Sequence, residues 1–261
     1  MIRRGYPTIL VAAALALVGA SQSLAEVTSD LATPQKKEIA MKLVSSAENS
    51  TLDWRAQYRY IEDIRDGRGY TGGIIGFTSG TGDMLEVVRA YTKARPRNRL
   101  GKYLPALRRV NGTKSHRGLG KPFVAAWKRA AKDRAFKAAQ NNERDTTYFN
   151  PAVALAKADG LNALGQFAYY DAAVVHGADG GLPDIRRRAL ARAPTPASGG
   201  DEAAFLSVFL DERVVEMKKE AAHEDVSRIE NAQRRFLMEG NLDLHLPLRW
   251  TVYGDPYAIT G

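Results

Sequence analysis

Glu48, Asp66 and Thr71 bring two carboxyls and a hydroxyl together within 24 residues of this chain. Asn49 follows Glu48, eight residues lead to Tyr58 and seven more to Asp66. Then come Gly67-Arg68-Gly69-Tyr70-Thr71, Ile75-Gly76, six residues and Asp83. Two carboxyls on different local elements, with a hydroxyl beside one, are the parts needed to cut a glycosidic bond with water. One gives a proton to the leaving oxygen and the other takes one from the attacking water. Singly, each has an ordinary reading. Asp66 is a turn aspartate and Thr71 a strand residue. Glu48 is either a solvated helix-end acid or a carboxyl raised by partial burial into a proton donor. The pattern alone leaves that pair of readings open.

The elements around these residues follow from local signals. Thr33-Pro34 is an N-cap followed by proline at the first helical position, and it opens a helix over 34–46. Ile39, Leu43 and Ala47 form one apolar row and Ala40, Val44 and Glu48 the next, which puts Glu48 in the last turn. The helical period is lost from Gln57 to Phe77, where Tyr58, Tyr60, Ile74, Ile75 and Phe77 flank the Asp66-Gly67-Arg68-Gly69 turn. That predicts a short irregular β hairpin. Asp83 and Glu86 stand in capping-box spacing and start another helix. Asn150-Pro151 opens the longest helical run, closing near His176-Gly177, about 38 Å at 1.5 Å per residue. Its alanines and glycines, Gly160 among them, predict a buried central helix. A short basic helix over 185–192 is compatible with the glycine- and proline-rich segment that follows. Further helices are expected over 201–222 and 227–238, with Gly240 as the stop.

Residues 1–25 read as a signal peptide: Arg3 and Arg4, an apolar run from Ile9 to Val18, then Ser23-Leu24-Ala25. The run is too short to span a bilayer, and no later segment is apolar enough to do so. The chain of 261 residues has no cysteine, so residues 26–261 must hold together by core packing, as one large domain or two lobes. Net charge is +9, or +7 without Arg3 and Arg4, and it is unevenly spread. Residues 48–83 hold six acids and four Lys/Arg, whereas 84–145 hold seventeen Lys/Arg and four acids. The basic block suits solvated helix faces or an anionic surface such as a cell-wall polymer.

Several motifs drop out on context. Gly67-Arg68-Gly69-Tyr70-Thr71-Gly72 matches the dinucleotide fingerprint, yet no apolar strand leads into it and Asp66 would repel a pyrophosphate. Gly76 to Gly82 lacks the Lys-Ser/Thr of a phosphate loop. Four scattered histidines, no cysteine and no HExxH argue against zinc, and no GxSxG elbow is present.

Glu48 and Asp66, across a helix-to-hairpin junction, resemble the catalytic layout of the lysozyme superfamily. The whole run from Glu48-Asn49 through Asp83 resembles the signature of the chitosanases of glycoside hydrolase family 46. Similar likeness extends through 44–50, Asn141 to Asp145, Gly165 to Asp171, Gly199 to Glu202 and Gly254 to Tyr257. The resemblance covers essentially all of residues 26–261. It implies a mainly α, α+β lysozyme-like fold: a single bilobal catalytic domain over 26–261, two lobes joined by a long central helix and a small β hairpin at the cleft. It implies an inverting mechanism with Glu48 as general acid, Asp66 as general base and Thr71 holding the water. Asp83 would bind a glucosamine ammonium. Arg68, Tyr60, Glu62, His176 and Glu220 would line the cleft. Asp171, Arg213 and Arg228 would form a charged cluster behind the catalytic site. The burial of Asp171 on an apolar helix makes cationic partners physically sensible, and a purely structural ion pair reads equally well.

The expected substrate is chitosan or glucosamine oligosaccharides, cut by an exported endo-acting monomer, periplasmic or extracellular, with no metal, cofactor or nucleic acid. A basic enzyme looks wrong for a polycation. Screening beyond about 8–10 Å lets carboxylates in the cleft outweigh remote lysines, however. The alternatives are a lysozyme-like peptidoglycan hydrolase, consistent with the same carboxylates, and a non-catalytic polyanion-binding module suggested by 84–145.

Overall fold

Thr33-Pro34 does open a helix: α1 runs Pro34–Asn49 in a computed structural model that describes residues 29–219 and 225–261. The signal-peptide reading of residues 1–25 and the cleft role of Glu220 lie outside the described residues. The Thr33 hydroxyl makes no cap bond and donates to the Asp30 carbonyl at 3.0 Å. Ser50, at φ 49°, turns the chain out of α1 immediately past Glu48-Asn49.

After a 3-10 turn at Trp54–Arg59, the expected hairpin is a three-stranded antiparallel sheet of two-residue strands: β1 (Ile61–Glu62), β2 (Thr71–Gly72) and β3 (Phe77–Thr78). Thr71 faces Glu62 on one side and Thr78 on the other. The sheet leads into α2 (Asp83–Ala94). The expected capping box does not form. Gly82 is the N-cap, and the Glu86 carboxylate accepts from Arg89 at 2.5 Å instead of reaching back. Helices α3 (Leu104–Val110), α4 (Gly120–Ala130) and α5 (Arg134–Glu143) follow, with α2 packed on α3 and α5.

The long central helix is not where the periodicity puts it. Between α6 (Asn150–Ala158) and α7 (Ala163–His176), Gly160 adopts φ +80°. Gly160 N–H donates to Lys157 and Leu161 N–H to Ala156, the paired bonds of a Schellman stop. The uninterrupted run is instead α5, a π-helical stretch at Arg144–Phe149 and α6, about 35 Å in all. Helix α7 is nonetheless the buried one, with every residue from Ala163 to Ala173 in the core.

Beyond it lie a π turn at Gly177–Gly181, α8 (Leu182–Leu190), α9 (Glu202–Met217), a π stretch at Arg228–Gln233 and α10 (Arg234–Met238), stopped by Gly240. The chain closes on a hairpin with no strong sequence signal, β4 (Leu248–Val252) and β5 (Asp255–Ile259). Its two-residue turn, Tyr253-Gly254, has φ +53° and +84°, the type that matches strand twist. Trp250 of β4 is buried and donates its indole N–H to Ser46 of α1 at 3.0 Å. The hairpin thus braces α1 half a turn before Glu48.

Candidate active site

Glu48 ends α1 beside a buried charge cluster. Arg228 donates to Glu48 Oε1 at 2.7 Å and to Asp171 Oδ1 at 2.6 Å. Arg213 donates to Asp171 Oδ2 at 2.9 Å. The side chains of Arg213, Asp171 and Arg228 are 0%, 2% and 7% exposed, against 27% for Glu48. Gln233 closes the network, donating to Asp171 at 2.8 Å and accepting from Arg213 at 2.7 Å. Burial alone would raise Asp171, but the Arg228 and Arg213 guanidiniums override it and hold its carboxyl down at about 2. Burial and the neighbouring Arg228 together lower Arg213 in spite of Asp171. Two cations and two carboxylates leave the cluster neutral, the condition under which buried charges are tolerated. Glu48 itself is partly open to solvent and has a guanidinium as its partner.

Asp66 faces the same region from the turn between β1 and β2. Its Oδ1 accepts from Arg68 N–H at 2.9 Å, the ordinary turn role, and its Oδ2 accepts from Arg68 Nε at 2.8 Å. Asp66 is 12% exposed and Arg68 45% exposed. The Tyr60 phenol is pushed up by burial and then by the Glu62, Asp66 and Glu48 carboxylates. Tyr60 also donates a long 3.5 Å bond to Glu62, which is exposed on β1. Thr71 is buried on β2, and its hydroxyl has no hydrogen-bond partner among the described residues. Gly76, at φ +76°, fits closely here, because a Cβ would come within 3.3 Å of Thr71 Cγ2.

Asp83 begins α2 almost fully buried. Oδ1 accepts from Thr78 N–H, Met84 N–H and the Thr81 hydroxyl, each at 2.8 Å, and Oδ2 accepts from Tyr148 at 3.0 Å. Burial raises its carboxyl despite these donors. Tyr148 belongs to the π stretch after α5 and feels the charge of Arg68, so Asp66, Arg68, Tyr148 and Asp83 form one connected series. Asp83 lines a depression of about 480 Å3 that also carries Glu86, Glu143 and Asp179 and no lysine or arginine. Burial raises Glu143 as well, helped by Asp83 and Glu86. His176, partly buried at the end of α7, adjoins Gly177 on the rim of this depression.

Gln233, Tyr148, Asp179 and Tyr253 carry no signal of their own in the sequence, and Glu143, within the quoted stretch Asn141 to Asp145, has no site role there. Tyr253 sits in the β4–β5 turn, its phenol raised by burial and by Glu48 against the effect of Arg228. Asn141 to Asp145 and Gly254 to Tyr257, quoted for their family likeness, adjoin Tyr148 and Tyr253 and could have signalled both. Tyr58 is scaffold: it donates to Asn141 at 2.8 Å and its carbonyl accepts from Gln140. Among the described residues, no group of three or more His, Asp or Glu is placed to hold a metal ion, and no helix is long and apolar enough to cross a membrane.

Residues 42–248 match the model of glycosyl hydrolase family 46. A chitosanase of Streptomyces sp. (strain N174) is 64% identical over 230 residues, spanning 87% of this chain and 82% of the relative. A chitosanase of Bacillus subtilis (strain 168) is 40% identical, with 84% of each chain covered. The co-crystal structure of chitosanase OU01 with substrate superposes with a TM-score of 0.88 at 58% identity, over 89% of this chain and 100% of that one.

Proposed function

The chain belongs to glycosyl hydrolase family 46 and is a glycoside hydrolase, and from that premise we propose an exported endo-chitosanase that inverts the anomeric carbon. Glu48 protonates the leaving oxygen. Its Oε1 is occupied by Arg228, so Oε2, with no partner among the described residues, is the oxygen that delivers the proton. Asp66 takes a proton from water, and Thr71 holds that water with its otherwise unpartnered buried hydroxyl. Inversion requires the two carboxyls to leave room for the water, about 6.5–9.5 Å apart. Asp171, Arg213, Arg228 and Gln233 fix Glu48 from behind. The cleft lies between two lobes of residues 26–261, and residues 1–25 serve export to the periplasm or the medium.

Substrate choice follows from local charge. Asp83 pairs with a glucosamine ammonium, and Glu86, Glu143 and Asp179 hold an acidic field around it within a basic chain. An acetamide carries no charge to pair. Arg68, Tyr60, Glu62 and His176 line the remaining path of the sugar chain.

The observation that carries the reading is that Glu48 and Asp66 are each held by its own arginine, with the buried, unpartnered Thr71 hydroxyl on the strand that follows Asp66. The test is proton NMR of fresh chitosan digests. The first-formed reducing ends should be α, inverted from the β linkage, and Glu48→Gln should lower turnover by about 10^2–10^4-fold without changing the melting temperature by more than a few degrees. β reducing ends would overturn inversion. Cleavage of cell-wall material in preference to chitosan would overturn the substrate.

A further inference from the structure

A second binding site lies at the opposite end of α2 from Asp83. A groove of about 810 Å3 runs between the end of α2 with its following loop and the C-terminal half of α4. Arg95, Arg97, Arg99, Arg129 and Lys132 line it, and Asp133 is its one acid. Asp133 is already engaged: Oδ1 caps α5 through Ala135 N–H, Oδ2 accepts from Tyr91, and Arg95 stands 3.8 Å away. Through Arg99, Ala126 and Arg129 the groove continues into a depression of about 220 Å3 that adds Lys102. The distance along α2 from Asp83 to Ala94 is about 17 Å, and none of the site residues described above lines the groove.

Four of the five cations that line the groove have no carboxylate partner among the described residues, so their charge is gathered in one place without being neutralised. On α8, just past its end and on α10, Arg186, Arg188, Arg192, Arg234 and Arg235 all meet carboxylates. Arg97, Arg99, Arg129 and Lys132 meet none within 4.0 Å among the described residues. The negative ends of α2 and α4 supply about half a charge each, too little to neutralise four. Such a groove repels chitosan.

We propose that this groove binds a chain of phosphate groups, a flexible phosphodiester-like polyanion without bases, and so anchors the enzyme to an anionic matrix. Guanidinium forks match phosphate oxygens bidentately. The groove has no exposed aromatic ring to stack a base or a sugar: Tyr91 and Tyr103 are both buried, and the Tyr91 hydroxyl is bonded to Asp133. Recognition therefore rests on repeated charge.

The test is fluorescence-anisotropy binding of labelled long-chain inorganic polyphosphate to the full protein at 50 and 200 mM salt. Affinity should fall at least about tenfold across that range, as counterion release requires. Arg97→Glu/Arg99→Glu/Arg129→Glu should lose about 30-fold or more, whereas Arg108→Glu/Arg109→Glu/Lys128→Glu, an equal charge change outside the groove, should lose less than about threefold. Both triple variants should keep native kcat on chitosan, which shows that they fold. Equal losses in the two triples would reduce the effect to net charge and overturn the site. Polygalacturonate binding as tightly as polyphosphate would overturn the phosphate assignment. Single-stranded DNA binding more tightly would replace it with a nucleic acid.

Discussion

Asp171 is where a single residue carries the most consequence. Its carboxylate stands between two buried guanidiniums, and one of those guanidiniums also holds Glu48. Its folded value of about 2 lies below the ordinary 3.8. The stabilisation is therefore fully present above the unfolded value and is lost as pH falls toward 2. A shift of this size corresponds to about 2 kcal/mol. Asp171→Asn removes that acid limb and leaves two buried cations with one partner fewer, at a cost of about 3–5 kcal/mol near neutral pH. Urea midpoints from pH 2 to 7 check this: the gap between variant and wild type should narrow as pH drops below 4. A constant gap would mean that Asp171 contributes through shape and not charge. Turnover should fall too, because Arg228 released from Asp171 no longer fixes Glu48. Burial on an apolar helix signalled that Asp171 needed cations. Gln233 could not be foreseen, since a neutral amide has no charge to balance and joins the network through contacts with residues 20 and 62 positions away.

Elements were legible where their signals are local. Thr33-Pro34 opens α1, the Asp66-Gly67 turn separates β1 from β2, and Gly240 stops α10. The central helix was misplaced because periodicity cannot distinguish a glycine that lets helices pack from one that ends a helix. Gly160 is the second kind. Its φ of +80° closes α6, and a Cβ would stand 2.9 Å from Ala197 N and 3.0 Å from Pro196 Cβ. Gly160→Ala should then cost about 1–2 kcal/mol from backbone strain alone, with more from the clash. A urea titration reads this as a lower midpoint at unchanged slope. Unaltered stability would return Gly160 to the role of a packing glycine. The π stretch that prolongs α5 into α6 has no such marker. It does place Tyr148 over Asp83, the sort of functional position where extra-wide turns recur. The β4–β5 hairpin was missed for a different reason: its turn is Tyr253-Gly254, and Tyr at positive φ is not a usual turn signal.

The whole molecule sets a conflict between long-range and short-range charge. Residues 26–261 carry +7 and the proposed substrate is a polycation, yet the depression around Asp83 is lined by four carboxylates and no cation. The two effects have different reach. At 0.01 M salt the screening length is about 30 Å, so an approaching chitosan chain meets the charge of the entire protein, and the basic face over 84–145 repels it. At 0.1 M the length is about 10 Å, and the chain meets mainly the carboxylates beside it; at 1 M it is about 3 Å, and these too are screened. Encounter should therefore improve and then worsen as salt is added. The expected outcome is that kcat/KM for chitosan rises between 0.01 and about 0.1 M salt and falls toward 1 M, while kcat moves little. Glu143→Gln/Asp179→Asn should lower the maximum, because it removes part of the local attraction and leaves the remote repulsion intact. Arg97→Glu/Arg99→Glu/Arg129→Glu should instead raise kcat/KM at the lowest salt and converge on wild type near 0.1 M. A kcat/KM that falls monotonically from 0.01 M in the wild type would mean that the acidic depression governs encounter at every distance, and that the basic face never opposes it.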